Sequence, residues 1–193
     1  MDAAGGPAPE LSAEDRQMLL QLARQTLNDY LREGELPHWQ TDSPALLQPC
    51  AAFVTLRRRD SGQLRGCRGE CVARRPLVES VVHMAIASAT DDPRFPPMTI
   101  DEVPHVHIEI SVLTPLKPIE PEQVVVGQHG LMIVRGRHAG LLLPEVPVAF
   151  GWDREGFLQG LCRKAGLPLD AWQATDVQLY GFEAEAWGEE QPR

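Results

Sequence analysis

The 193-residue chain contains no apolar run approaching the 18 residues of a membrane-spanning helix. Its first residues lack the basic stretch and apolar core of a secretory leader. A cytoplasmic protein is therefore expected, with no membrane partner. Cysteine is scarce, and Cys50, Cys67, Cys71 and Cys162 stand at irregular spacing. A chain of this length buries roughly 70% of its unfolded surface without cross-links, so reduced thiols are expected rather than a disulfide framework. An excess of positive charge is missing too: 18 Lys and Arg against 27 Asp and Glu give a formal net charge of −9. Such a chain repels nucleic acid and anionic membranes at long range. Neither a dinucleotide-binding nor a phosphate-loop glycine pattern occurs, nor an internal repeat, so no cofactor is expected.

What remains is ordinary globular composition, 43% hydrophobic and 23% charged, with 17 prolines that favour many turns and short elements. Residues 1–10 are rich in Gly, Ala and Pro and read as a disordered tail. Ser12 and Asp15 form a shortened capping box, and Leu19, Leu22, Thr26 and Tyr30 recur at helical spacing up to a stop at Gly34. Residues 51–57 and 63–69 read as a hairpin turning at 59–62, and Pro76 opens a helix bearing Val78, Val81, Val82, Ala85, Ile86 and Ala89. In 105–113, Val106, Ile108, Ile110 and Val112 share one face; His105, His107, Glu109 and Ser111 share the other, which reads as solvent-facing. Residues 123–126 look extended, 130–144 look like a hairpin turning near Gly136–Gly140, Asp153 caps a helix closed by Gly166, and 177–187 reads as one last strand. Hairpins recur without regular βαβ alternation, which makes the fold class α+β with antiparallel sheets flanked by helices.

Chemistry concentrates in "LRGCRGECVARRP", residues 64–76. Regular strand alternation places Arg65, Cys67 and Gly69 on one face and Leu64, Gly66, Arg68 and Glu70 on the other. A guanidinium beside a thiol stabilises the thiolate, as a nucleophile or redox sensor requires. Gly66 and Gly69 leave room for a ligand or another backbone. The plainer alternative is a small buried cysteine between glycines that mark a bend. Cys67 and Cys71, with His83, stand at imperfect zinc spacing, and position 74, where a radical-SAM cluster motif would need cysteine, is Arg74. His105, His107 and Glu109 read better as a polar strand face than as metal ligands, so no metal is assigned. Arg57, Arg58, Arg59, Arg65, Arg68, Arg74 and Arg75, against Asp60 and Glu70, form a local cationic stretch that suits a small anionic ligand, a peptide or an acidic partner surface. His129 in "GQHG" is placed to act as a general acid or base, or to fix its turn; "DPRF" at 92–95 is placed to form a loop ion pair beside an aromatic ring.

In order along the chain, "LRGC-x-G" (64–69), "DPRF" (92–95), "IEISVL" (108–113), "G-x-HG" (127–130), "LLLPEV" (141–146), "FLQGLCRKAGL" (157–167) and "YGFEAE" (180–185) resemble the AMMECR family, whose prokaryotic members are called AmmeMemoRadiSam system protein A. The resemblance covers about residues 12–187. It implies one AMMECR-type domain over 11–187, with 188–193 a tail. In it, a larger subdomain is built from the N- and C-terminal parts, a smaller one with a three-stranded sheet is inserted, and the LRGC strand lines a cleft between them. It also implies a Memo-like protein, similar to extradiol dioxygenases, and a radical-SAM protein as partners. Carried over onto this chain, the motif points to Leu64, Arg65, Gly66, Cys67 and Gly69. Arg68 stands where the family usually has an aliphatic residue and Glu70 where it often has a small hydroxyl, and the two read as a surface ion pair. Two functions follow. One is a binding or accessory module acting with those partners. The other is a thiol-dependent enzyme with Cys67 as nucleophile or redox residue, Arg65 stabilising charge and His129 as acid/base.

Overall fold

The computed structural model describes residues 8–190; the expectation of a disordered tail over 1–7 lies outside them. In chain order the elements are α1 (Ala13–Glu33), α2 (Pro44–Leu47), β1 (Ala52–Arg58), β2 (Leu64–Gly69), α3 (Leu77–Thr90), β3 (Val106–Leu113), β4 (Lys117–Pro118), β5 (Gly130–Arg135), β6 (His138–Leu142), α4 (Glu145–Ala149), α5 (Arg154–Lys164), β7 (Gln178–Phe182) and β8 (Ala184–Gly188). They form two four-stranded sheets, ordered β2-β1-β3-β8 and β4-β7-β5-β6, whose resolved strand pairings are antiparallel. The fold is α+β. The chain divides into two compact units, a first comprising 8–113 with 185–190 and a second spanning Thr114–Ala184.

In the first unit, α1 begins at the expected capping box: the Asp15 N–H donates to Ser12 Oγ at 3.1 Å, and the Ser12 N–H to Asp15 Oδ2 at 3.0 Å. The helix ends at Gly34 with φ +75°, a left-handed conformation that glycine adopts without strain. Leu19, Leu22 and Leu27 of α1, and Val78, Val81 and Ala85 of α3, close over Val54, Leu56, Ile108 and Ile110 of the sheet. The apolar face of 106–112 is therefore the core face, as its alternation predicts. The opposite face is not freely solvated, however. Glu109 receives Arg57 Nε at 3.1 and 3.0 Å, Ser111 is buried, and His105 belongs to a 3-10 turn (Ile100–His105) that precedes the strand.

In the second unit, Leu131 and Ile133 of β5 pack with Phe157, Leu158 and Leu161 of α5. Asp153 caps α5, accepting from the Gly156 N–H at 2.8 Å. Residues 121–123 form a 3-10 turn rather than the start of a strand, because Pro121 sits at its first position and Gln123 Oε1 takes the Glu120 N–H at 2.9 Å. The sheet has four strands where the family resemblance implies three; the extra one is the two-residue β4. Residues 177–187 are two strands, β7 and β8, in different sheets. Phe182 is buried against Gly130 of β5, whereas Trp187 packs on the first unit's core. Within the tail expected from 188, Glu189 is held by the first unit. Glu189 accepts from Arg24 and Arg59, and from the Ile108 N–H at 3.1 Å.

Candidate functional site

β2 is an edge strand, and an exposed edge invites pairing with other chains. Here side chains cover it. The Cys67 N–H donates to Asp92 Oδ2 at 2.9 Å and the Arg68 N–H to Ser88 Oγ at 2.9 Å, while that hydroxyl donates to Val54 O at 2.7 Å. The two glycines are required by close packing. A Cβ at Gly66 would stand 2.0 Å from the Ser88 carbonyl oxygen, and one at Gly69 would stand 2.1 Å from the Phe53 ring. They admit another helix's backbone and an aromatic ring of this same chain.

The register of β1 on β2 contains an irregularity that strand alternation does not foresee. Leu56 faces Gly66 and Arg57 faces Leu64, so Arg65 is an extra residue opposite no partner. Such a bulge re-aims the side chain it carries. The bulge carries the Arg65 guanidinium to Glu102, Nε to Oε1 at 2.8 Å and Nη2 to Oε2 at 3.0 Å, and to the Pro96 carbonyl at 3.1 Å. Arg65 is 4% exposed, and its guanidinium carbon lies 5.9 Å from the Phe95 ring centroid. The paired guanidinium holds the Glu102 carboxyl below the usual range.

Cys67 is half-buried, and the Thr55 hydroxyl donates to its Sγ at 3.3 Å. Asp92, 5% exposed, grips Arg94 with two bonds, Nε to Oδ1 at 2.9 Å and Nη2 to Oδ2 at 2.7 Å. That pair holds the Asp92 carboxyl far below the ordinary carboxylate range, and Arg94 in turn interacts electrostatically with Cys67. The ion pair expected in "DPRF" is therefore present, with Arg94 5.6 Å from the Phe95 centroid. The sequence does not link this loop to Cys67; only the fold brings Asp92 to the thiol's own N–H. Burial pushes the other three thiols up, Cys50 to about 11, Cys71 with help from the Glu70 charge, and Cys162. Arg68 is exposed, and Glu70 pairs with Arg75 at 2.8 Å rather than with Arg68. His83 is exposed, and among the described residues no three His, Cys, Asp or Glu side chains group to hold a metal ion.

The Arg65–Glu102 pair also forms one wall of a pocket of about 540 Å³, whose rim carries Arg58, Arg59, Asp60 and His105. Leu64 is half-buried at the start of the strand.

His129 belongs to the second unit. Gly127, at φ +85°, turns the chain so that the Val125 N–H donates to His129 Nδ1 at 3.1 Å and the His129 N–H returns to Val125 O at 3.0 Å. An Nδ1 that accepts a bond leaves the proton of the neutral ring on Nε2. His129 thus fixes its turn through Nδ1 and turns its Nε2 side outward as the donor of the neutral ring. It lines a pocket of about 430 Å³ within its own unit.

A family model, AMMECR1, matches residues 20–187. The protein MK0488 of Methanopyrus kandleri is 42% identical over 191 residues, covering 95% of this chain and 92% of its own length. The protein PH0010 of Pyrococcus horikoshii is 43% identical over 187 residues, 92% of this chain and 91% of its own. The crystal structure of PH0010 superposes with a TM-score of 0.85 at 44% identity, covering 91% of this chain and 92% of that one.

Proposed function

The chain belongs to the AMMECR1 family, and from that premise we propose that it is a binding or accessory module acting through the surface around its LRGC motif. The observation that carries this reading is the state of the groups a thiol enzyme would need. Arg65 is bound by Glu102, Arg94 by Asp92, and His129 Nδ1 by its own turn. What stays open is the pocket beside Arg65 with its basic rim, suited to an acidic segment or small anion. The family resemblance supplies the partners: a Memo-like protein and a radical-SAM protein. Arg58, exposed on that rim, is the side chain to test. Arg58→Glu is expected to weaken capture of the purified Memo-like protein at least tenfold with unfolding unchanged, while Cys67→Ser captures it normally. Undiminished capture by Arg58→Glu, or loss by Cys67→Ser without loss of fold, contradicts the proposal.

The alternative, a thiol-dependent enzyme, draws on the Thr55 hydroxyl at the Cys67 sulfur and on the neighbouring Arg94 charge. A covalent adduct at Cys67 in protein isolated with its partners, read by intact mass and absent from Cys67→Ser, would transfer the weight to it.

A further inference from the structure

The second unit holds a pocket whose charges are left unpaired. Lys117 of β4 faces Gly181 of β7, which in turn faces Leu131 of β5. Glu183 follows β7 directly, in the break before β8, and lines the same pocket as Lys117. Gly181 has no side chain. A Cβ there would meet Ile119 Cδ1 at 2.9 Å, so Ile119 forms the floor instead. The space beside it measures about 430 Å³ and is lined by Pro115, Pro118 and Ile119 together with Lys117, His129 and Glu183. That volume falls within the range of small-molecule sites.

The polar groups of this lining are not closed on one another. Lys117 makes no ion pair among the described residues, with Glu183 or with any other. Glu183 is fixed by its backbone, its N–H donating to Thr114 Oγ1 at 2.8 Å, and its Oε1 accepts from Gln128 Nε2 at 2.8 Å. Oε2 is left to accept another donor. His129, locked by the Val125 N–H, offers Nε2–H. One ammonium, one ring N–H and one carboxylate oxygen therefore surround an apolar space. A simple anion would meet repulsion from Glu183, and a simple cation would meet it from Lys117. A molecule carrying both charges on one carbon, with an apolar tail, satisfies all three.

We propose that this pocket binds a small zwitterion of the α-amino-acid class, with Lys117 and His129 Nε2–H on its carboxylate, Glu183 on its ammonium, and an aliphatic side chain against Pro115, Pro118 and Ile119. The assignment does not depend on partner capture at Arg58, so either can fail alone. Isothermal titration of the full chain with L-leucine, isopentylamine and 4-methylpentanoate tests it. Leucine is expected to bind, and each analogue, lacking one charge, to bind at least tenfold more weakly. Lys117→Met should bring leucine down to the affinity of isopentylamine, and Glu183→Gln to that of 4-methylpentanoate. Both positions are exposed, so unfolding midpoints should not move, and the three-ligand series on the unaltered protein needs no variant. No binding of leucine at millimolar concentration overturns the proposal. So does equal binding of leucine and 4-methylpentanoate, which would make the pocket a plain anion site, or of leucine and isopentylamine.

Discussion

The two units treat their charged side chains in opposite ways. In the first, Arg24 and Arg59 share Glu189, Arg57 holds Glu109, Arg65 holds Glu102, Arg75 holds Glu70 and Arg94 holds Asp92. Several of these bonds also satisfy backbone groups, such as the Cys67 and Ile108 N–H groups. In the second unit the ion pair among the described residues is Arg135 with Asp176 on the surface, while Lys117 and Glu183 face a pocket without meeting. Arginine with two-pronged carboxylate partners builds structure, because a buried guanidinium left alone is costly. A lone lysine and a glutamate on exposed strand ends cost little, and they remain available to a ligand. Within the arginine-rich motif, Arg65 and Arg75 are already held by Glu102 and Glu70, while Arg68 stays exposed.

The difference can be broken most severely at Gly66. An added methyl meets the Ser88 carbonyl, which is backbone and cannot step aside. Gly66→Ala should cost about 3 kcal/mol or more, measured by urea unfolding, whereas Gly136→Ala, open in space at φ +58°, should cost about 1 kcal/mol. Next is Asp92→Asn, which weakens the grip on Arg94 and on the Cys67 N–H and should cost about 2 kcal/mol at pH 7. The sign with pH follows from its low titration. The stability that Asp92 and Glu102 contribute is full above the unfolded carboxylate range near pH 4 and is lost as pH falls below it. Stability measured from pH 7 to pH 2 should therefore fall less steeply in Asp92→Asn than in the unaltered protein. Arg65→Lys keeps the charge but loses the fork on Glu102, and should cost about 1.5 kcal/mol. The smallest effects sharpen the contrast from the other side. Cys67→Ser should cost about 1 kcal/mol or less, and Lys117→Met about 0.5 kcal/mol or less, by the same unfolding assay.

The apolar pattern made most of the elements legible. The stripe of α1, the alternation of β3 and the cap of α5 each depend on a few local residues, and each stands where the sequence puts it. Local patterns could not show a change of partner. Residues 178–188 keep one extended appearance while crossing from one sheet to the other, because Phe182 and Trp187 serve different cores. The site was half legible for the same reason. The loop pair of Asp92 and Arg94 lies two residues apart and can be anticipated, but its contact with Cys67 spans 25 positions. Alternation puts Arg65 and Cys67 on one face, and it does not foresee the bulge at Arg65 or the reach of its guanidinium to Glu102. No composition or spacing marks this bulge in advance. Glu102, which decides where Arg65 goes, carries no signal beyond its place in a capping turn.

The neck of the second unit has a consequence for the order of folding. Thr114 and Glu183 hold each other by two bonds, the Thr114 N–H to Glu183 O at 2.9 Å and the Glu183 N–H to Thr114 Oγ1 at 2.8 Å. On either side of that clasp, β3 ends and β8 begins, and these are neighbouring strands of one sheet. Bringing β8 to β3 therefore means closing a loop of about 70 residues, which is entropically dearer than a short hairpin by about 2.5 kcal/mol. A second unit that folds first presents both ends already clasped and removes most of that barrier. The last strand of the first sheet is then the slowest to join, and cutting the Thr114–Glu183 clasp should slow refolding far more than it speeds unfolding.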